Sequence, residues 1–197
     1  MQIVAHRVKN HKDAAKAIGA GADFLEVDVS QSALFSKFII QHNILIGKFG
    51  IGPLLESLFI GKTKGRLFLD FKFANSHFAN KFNKYIRDID KGNVKICGRD
   101  WKIISNICHL NGFEVFYTIR SKKAWQKLKK SLPYLKKPHG FSIHYSLIDK
   151  NLIDEIREAA QNIQIWAWTV NSQKEFQRLE NLQIDGIITD NWQHLPV

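Results

Sequence analysis

Phe24-Leu25-Glu26-Val27-Asp28-Val29 is the stretch on which the fold turns. In an extended strand successive side chains point to opposite faces. Leu25, Val27 and Val29 therefore share one face, suited to packing against helices. Glu26 and Asp28 share the other. A second stretch repeats the pattern. In Leu67-Phe68-Leu69-Asp70-Phe71-Lys72, Leu67, Leu69 and Phe71 lie on one face and Asp70 and Lys72 on the other. Two strands with apolar outer faces and charged inner faces point to a barrel whose axis carries charge.

Outward from these stretches, β-rich runs alternate with helical ones to the end of the chain. Strands are expected at Ile3–Ala5, Phe24–Val29, Arg66–Lys72, Val94–Cys97, Glu114–Ile119, Gly140–His144, Gln164–Val170 and Gly186–Thr189, with a further short run at Phe38–Gln41. Helices are expected over Lys12–Ala20, Phe78–Asp90, Trp101–Leu110, Leu152–Gln161 and Ser172–Asn181. Gly19-Ala20-Gly21 marks a helix stop, and Asp149 is placed to cap a helix start. Ser172 with Glu175 three residues on reads as a capping box. Eight strands alternating with helices predict a parallel sheet with right-handed crossovers, closed as a compact α/β (β/α)8 TIM barrel. An open doubly wound sheet is the rival, but no Gly-x-Gly-x-x-Gly follows the first strand. At 197 residues the chain is short for a barrel of about 200–250 residues, so spare loops and a single domain over 1–197 are expected.

Composition narrows the partners. Apolar residues make up 45%, enough for a folded core. No apolar run approaches the ~18 residues of a membrane span, and Met1 to Arg7 lacks the pattern of a signal peptide. Cys97 and Cys108 are the only cysteines, too few for a disulfide framework or a cysteine zinc site. These features point to a reducing, cytoplasmic setting. With 29 Lys+Arg against 18 Asp+Glu, the net charge of +11 favours an anionic partner: phosphate, nucleic acid or a lipid surface.

The charges inside strands carry the chemistry. Glu26, Asp28 and Asp70 would repel one another when buried, and a divalent cation resolves that conflict. Hard oxygen ligands suit magnesium or calcium, with manganese a third candidate. A structural ion-pair cluster, with Lys72 or Arg7 as counter-charge, is the alternative. His6 ends the first strand and His42 the short run Phe38–Gln41. A histidine pair at strand ends can serve as general base and general acid. Arg7 can hold phosphate oxygens as a planar fork. His144, ending another strand, is a candidate pocket residue, while Tyr117, Trp166 and Cys97 read as packing residues.

In order along the chain stand Ala5-His6-Arg7, Gly21-Ala22-Asp23, Glu26-Val27-Asp28, Gln41-His42-Asn43, Asp70-Phe71-Lys72, Trp168-Thr169-Val170-Asn171 and Asp185-Gly186-Ile187-Ile188-Thr189-Asp190. This series resembles the glycerophosphodiester phosphodiesterase family, whose fold is the (β/α)8 barrel. The resemblance implies an enzyme, a phosphoric diester hydrolase that releases an alcohol and glycerol phosphate. It implies metal ligation by Glu26, Asp28 and Asp70 and acid–base roles for His6 and His42. Arg7 and Lys72 would hold the phosphoryl oxygens, and Trp168 would wall the alcohol pocket. The nucleophile would be water or the substrate's own neighbouring hydroxyl, the latter giving a cyclic phosphate first.

The chain departs from the family pattern in places. Val8 stands where a glycine usually follows His-Arg. Lys9-Asn10-His11-Lys12 replaces Pro-Glu-Asn-Thr, His42 is followed by Asn43 rather than Asp, and Asp70 stands where Glu is common. The insertion that helps bind glycerol is nearly missing. His6-Arg7-Val8-Lys9-Asn10, Asp70-Phe71-Lys72 and Thr189-Asp190-Asn191-Trp192 also resemble sphingomyelinase D-type phospholipases, which makes a lysophospholipase D-like activity a second reading. A degenerate barrel that binds anions or membranes without hydrolysis is a third. Seven lysines between Lys122 and Lys137 interleave with Ala124, Trp125, Leu128, Leu132 and Leu135. They read as the solvated face of an outer helix, with an anionic lipid surface as the functional alternative. No nucleic-acid motif accompanies them. A barrel buries its core as a monomer, so nothing in the sequence requires oligomerisation.

Overall fold

The computed structural model describes residues 1–33, 37–58, 66–73, 80–82, 94–107 and 113–194. Among the described residues nine strands form one sheet: β1 (Gln2–Ala5), β2 (Phe24–Gln31), β3 (Phe38–Ile40), β4 (Leu67–Phe73), β5 (Val94–Gly98), β6 (Glu114–Ile119), β7 (Gly140–His144), β8 (Gln164–Trp168) and β9 (Gly186–Thr189). β1 pairs in parallel with both β2 and β9, and β2 continues through β4 to β9. Eight parallel strands thus close on themselves as a (β/α)8 barrel.

β3 is the exception. β1 reaches only Phe24 and Leu25 of β2, so the far half of that edge would stand open. β3 covers it, running antiparallel from Gln31 back to Val29. This pairing brings Gln41 onto Asp28, with the Gln41 amide donating to the Asp28 carbonyl at 2.9 Å. The residue that follows, His42, is thereby delivered beside the charged end of β2.

The helices α1 (His11–Gly19), α2 (Ile44–Lys48), α3 (Trp101–Ser105), α4 (Lys122–Ser131), α5 (Lys150–Ala159) and α6 (Gln173–Asn181) lie outside. Their starts follow the capping chemistry of the sequence: Asn10, Asn43, Ser121, Asp149 and Ser172 each accept a backbone N–H with the side chain. The capping box at Ser172 forms by half. Ser172 accepts from the Glu175 amide, but the Glu175 carboxylate turns to the Arg178 guanidinium at 2.8 Å instead. Arg178 in turn donates to the carbonyls of Ile148 and Tyr145 and pins the loop after β7. The expected strand ending at Val170 stops at Trp168. The expected helix over Phe78–Asp90 is seen at residues 80–82 and otherwise lies outside the described residues. The helix expected over Trp101–Leu110 ends at Ser105, with Asn106 as its C-cap. Among the described residues no helix is long and apolar enough to cross a membrane.

Strand alternation sorts two cores. Leu25, Val27 and Val29 of β2 and Leu67, Leu69 and Phe71 of β4 face outward into the layer shared with the helices, as their sequence pattern requires. Inside the barrel, Val4, Phe24, Phe68, Cys97, Phe116, Trp166 and Ile188 form a second, largely aromatic cluster. Phe68 stacks on Trp166 with ring centroids 5.1 Å apart. Such a small barrel holds these rings because Gly140 and Gly186 vacate the neighbouring positions. A Cβ on Gly140 would overlap the Phe116 ring, and one on Gly186 would sit 2.8 Å from the Trp166 indole. Against this plug the buried Lys95 ammonium meets Glu114 and lies 4.9 Å from the Phe24 ring centroid. A charge there is tolerable because it is both paired and set over aromatic faces.

Gly140→Ala is expected to destabilise the protein by about 1–3 kcal/mol, the usual cost of overpacking. Gly19→Ala, where a Cβ meets nothing within 4 Å, should be neutral or stabilise by up to about 1 kcal/mol. Urea unfolding of both variants checks the contrast.

Candidate active site

The aromatic plug ends part-way up the barrel, and the same inward-facing rows continue as polar residues. Val4 is followed by His6, Phe24 by Glu26 and Asp28, and Phe68 by Asp70 and Lys72. Phe116 leads to Thr118 and Arg120, and Trp166 to Trp168. Register sets their heights, with Asp28 level with Asp70 and Asp70 level with Cys97. A hollow of about 70 Å³ at the C-terminal strand ends is lined by His6, Arg7, Glu26, His42, Asp70, Lys72, Arg120 and Trp168, among others. This is the end of a barrel where loops and strand tips converge.

The three carboxylates come together as their alternation predicts. One oxygen from each of Glu26, Asp28 and Asp70 lies within 4.8 Å of the others. Lys72 answers two of them, with its ammonium 2.6 Å from Asp28 Oδ1 and in contact with Asp70. Burial alone would lower the Lys72 pKa, but Asp70 and Asp28 outweigh it and raise it. Asp28 is pushed up by burial, yet Lys72 and then His42 hold its carboxyl below the usual value. Glu26 is left out. Its one ion-pair contact among the described residues is His6 Nε2 at 3.9 Å. Its Oε2 accepts from the Arg7 amide at 2.7 Å. Burial, with Asp28 adding to it, pushes the Glu26 pKa well above the carboxylate range. A buried carboxyl that lacks a full counter-charge, beside two others, is a donor set that fits a hard divalent cation.

Both histidines present Nδ1 to a carboxylate. His42 Nδ1 is 2.9 Å from Asp28 Oδ2, and His6 Nδ1 is 2.7 Å from Asp190 Oδ1. A ring nitrogen held by a carboxylate fixes the tautomer and leaves Nε2 for the proton. Burial lowers the His6 pKa below its ordinary value, although Asp190 opposes the shift. Arg7 reaches over the site, its Nε 3.7 Å from Asp28 Oδ2 and its side chain half-exposed. Trp168 lines the hollow. His144 packs edge-on against Trp168, 5.0 Å between centroids, with its Nδ1 2.8 Å from Ser146 Oγ, and lies outside the lining itself.

Three side chains join the site without having been singled out from the sequence. Asp190 holds His6. Asn171 holds Asp190, donating from Nδ2 to Oδ2 at 2.7 Å and accepting the Asp190 amide at 2.9 Å. Arg120 sets its guanidinium 5.2 Å from the Trp168 ring centroid. Alternation from Ile188 to Asp190, and from Thr118 to Arg120, was the signal available.

The model of the glycerophosphoryl diester phosphodiesterase family matches residues 63–194, two thirds of the chain. The chain belongs to that family. The matched span holds Asp70, Lys72, Trp168 and Asp190, while His6, Arg7, Glu26, Asp28 and His42 precede it and reach the same hollow through the fold. Among solved structures, this phosphodiesterase-family chain is similar to a glycerophosphodiester phosphodiesterase from Thermotoga maritima. The TM-score is 0.76 at 18% identity, covering 98% of this chain and 96% of that one. It is also similar to a phosphodiesterase from Oleispira antarctica, in complex with the product sn-glycerol-3-phosphate. There the TM-score is 0.74 at 16% identity, covering 98% and 94% of the two chains. At such identities the likeness speaks for the fold. No curated protein sequence matches the chain.

Glu26 binds its proton more readily folded than unfolded. Stability is therefore lost as pH rises from the ordinary glutamate value toward the raised one. Thermal melts in chelator should show wild type losing ground to Glu26→Gln as pH rises. Added magnesium or calcium should restore the wild type alone. A pH-independent difference between the two would contradict the reading of Glu26 as an under-compensated carboxyl.

Proposed function

We propose that the chain, a single barrel domain over residues 1–197, hydrolyses glycerophosphodiesters to an alcohol and glycerol phosphate. The observation that carries this reading is the convergence of two carboxylate-held histidines on one hollow shared with Glu26, Asp70, Arg7 and Lys72. The product in the Oleispira neighbour supports the same substrate class.

In this reading Glu26, Asp28 and Asp70 hold a divalent cation, magnesium, calcium or manganese. When bound, such an ion supplies Lewis-acid stabilisation of the charge that builds on the phosphoryl oxygens. Arg7 and Lys72 add fixed positive charge at the same oxygens. Lys72 does so from a position set by Asp28 and Asp70, while Arg7 swings in from the rim. One histidine accepts the proton of the attacking oxygen, and the other gives a proton to the leaving alkoxide. The attacking oxygen belongs to water or to the glycerol hydroxyl beside the phosphodiester. Trp168, with Arg120 over its face, walls the side on which the alcohol leaves. Asp190 and Asn171 act as positioning residues, holding His6 Nδ1 so that Nε2 faces the reaction.

Turnover of glycerophosphocholine and glycerophosphoethanolamine, scanned over the three ions, tests the assignment. Glu26→Ala and Asp70→Ala should abolish turnover and ion binding while the barrel stays folded, and chelation should silence the wild type. Normal turnover by either variant in chelator would sink the assignment.

His6→Ala and His42→Ala should each lose about 10²- to 10⁴-fold in kcat while keeping the ion. A nitrophenyl leaving group needs no proton, so one of the two variants, the one lacking the general acid, should recover on that substrate. Recovery of both, or of neither, would contradict a division of labour between them.

A further inference from the structure

The short helix α2 is built inside out. Its buried residue is Gly47, whose missing side chain lets the helix lie directly on Ser30 of β2, where a Cβ would overlap. The apolar residues of the segment face solvent instead. Leu45 is 66% exposed and Ile46 39%, and Phe49 and Ile51 just beyond are each 62% exposed. Isolated exposed apolar residues are ordinary, but four of the seven large ones among the described residues fall within this one segment. The segment is held in place. Asn43 caps the helix, the Ile51 amide donates to the Ile46 carbonyl, and the Gly50 amide donates to the Gly47 carbonyl.

This patch stands at the mouth of the site, directly after His42. A second hollow, of about 320 Å³, adjoins the site and is lined by Arg7, Val8, Asp28, Ile40, His42 and Pro53, so it shares Arg7 and His42 with the first. The same end of the barrel carries exposed Arg7, Lys9, Lys37, Arg99, Arg120 and Lys122. Of the exposed acids there, Asp100 and Asp149 cap α3 and α5, and Asp190 holds His6. A barrel end that carries both an apolar patch and exposed cations matches an anionic bilayer, whose headgroups attract the charges while its interior receives the apolar side chains. A water-soluble diester would call for no such patch.

We propose that this end of the barrel docks on an anionic lipid bilayer, with Leu45, Ile46, Phe49 and Ile51 entering the headgroup region. The docking rests on the surface alone. That the docked protein takes a phosphodiester lipid from the bilayer rests on the hydrolase reading above.

Co-sedimentation with phosphatidylglycerol–phosphatidylcholine vesicles, against pure phosphatidylcholine ones, tests the docking. Wild type should bind the anionic vesicles at least about tenfold more tightly. Phe49→Ser/Ile51→Ser, at exposed positions, should keep the melting temperature and lose about tenfold in vesicle binding. Its turnover of lysophosphatidylcholine placed in those vesicles should fall in parallel, and its turnover of soluble glycerophosphocholine should not. Wild type that stays in the supernatant with both vesicles would overturn the proposal. So would a double variant that binds like wild type, or a dimer in sedimentation equilibrium that the double variant breaks, since a second copy would then cover the patch. Vesicle binding without turnover of any diester upholds docking and overturns the hydrolase reading.

Discussion

Three carboxylates inside a barrel mouth, with one lysine between two of them, are the constraint on which the rest of the site depends. Carboxylates this close cannot all ionise without counter-charge. Lys72 supplies it to Asp28 and Asp70 from the same β-strand as Asp70, two residues on, where alternation returns the side chain to the same face. Among the described residues, Glu26 receives only a backbone amide and a histidine at 3.9 Å. The imbalance is local and uneven. It leaves one carboxyl in search of a cation on the side of the cluster that faces His6, where the chemistry would occur. Had Lys72 neutralised all three, the cluster would read as a structural knot.

The barrel can afford this cluster because its charge and its packing sit on one inward face at different heights. Phe24 and Phe68 fill the lower part of the same rows whose upper part holds Glu26, Asp28, Asp70 and Lys72. Water is excluded below by stacked rings rather than by a deep core. Gly140 and Gly186 are the counterpart of those rings, since side chains there would push Phe116 and Trp166 out of the axis. With a floor of aromatics in place, strands hold the carboxylates and Lys72, and His6, Arg7, His42, Arg120 and Asp190 each sit within two residues of a strand end.

Much of this was legible in the sequence because period-two alternation is a local property. Glu26 and Asp28, Asp70 and Lys72 needed only their own strands to be assigned a face, and Asp149 and Ser172 only the helix that follows. What escaped depends on contacts between distant parts of the chain. Asp190 and Asn171 were quoted as pieces of motifs, but that Asp190 holds His6, 184 residues away, follows only from β9 pairing with β1. The other half of the capping box failed for a similar reason, since Arg178 is recruited by the loop after β7 and takes Glu175 with it. The reversal of α2 was also hidden. That Gly47 is the residue of α2 that touches Ser30 depends on β2, seventeen residues back in the chain.

Asn43 shows how a departure from the family pattern can be absorbed without touching the chemistry. Where the family commonly has an acid after this histidine, the amide side chain caps α2 by accepting from Leu45 and Ile46. His42 keeps its carboxylate partner all the same, because Asp28 reaches it across the β2–β3 pairing. Asn10 behaves alike at the other edge of the mouth, capping α1 where the family's Pro-Glu-Asn-Thr segment is replaced. Both substitutions trade a charge at the rim for a helix start, and both leave the inward rows unchanged. The inward rows fix how a phosphodiester would be handled, and the rim decides what may reach them. In this chain the inward rows depart from the family pattern at Asp70, an acid for an acid, while at the rim Asn43 and Asn10 stand where the family has other residues.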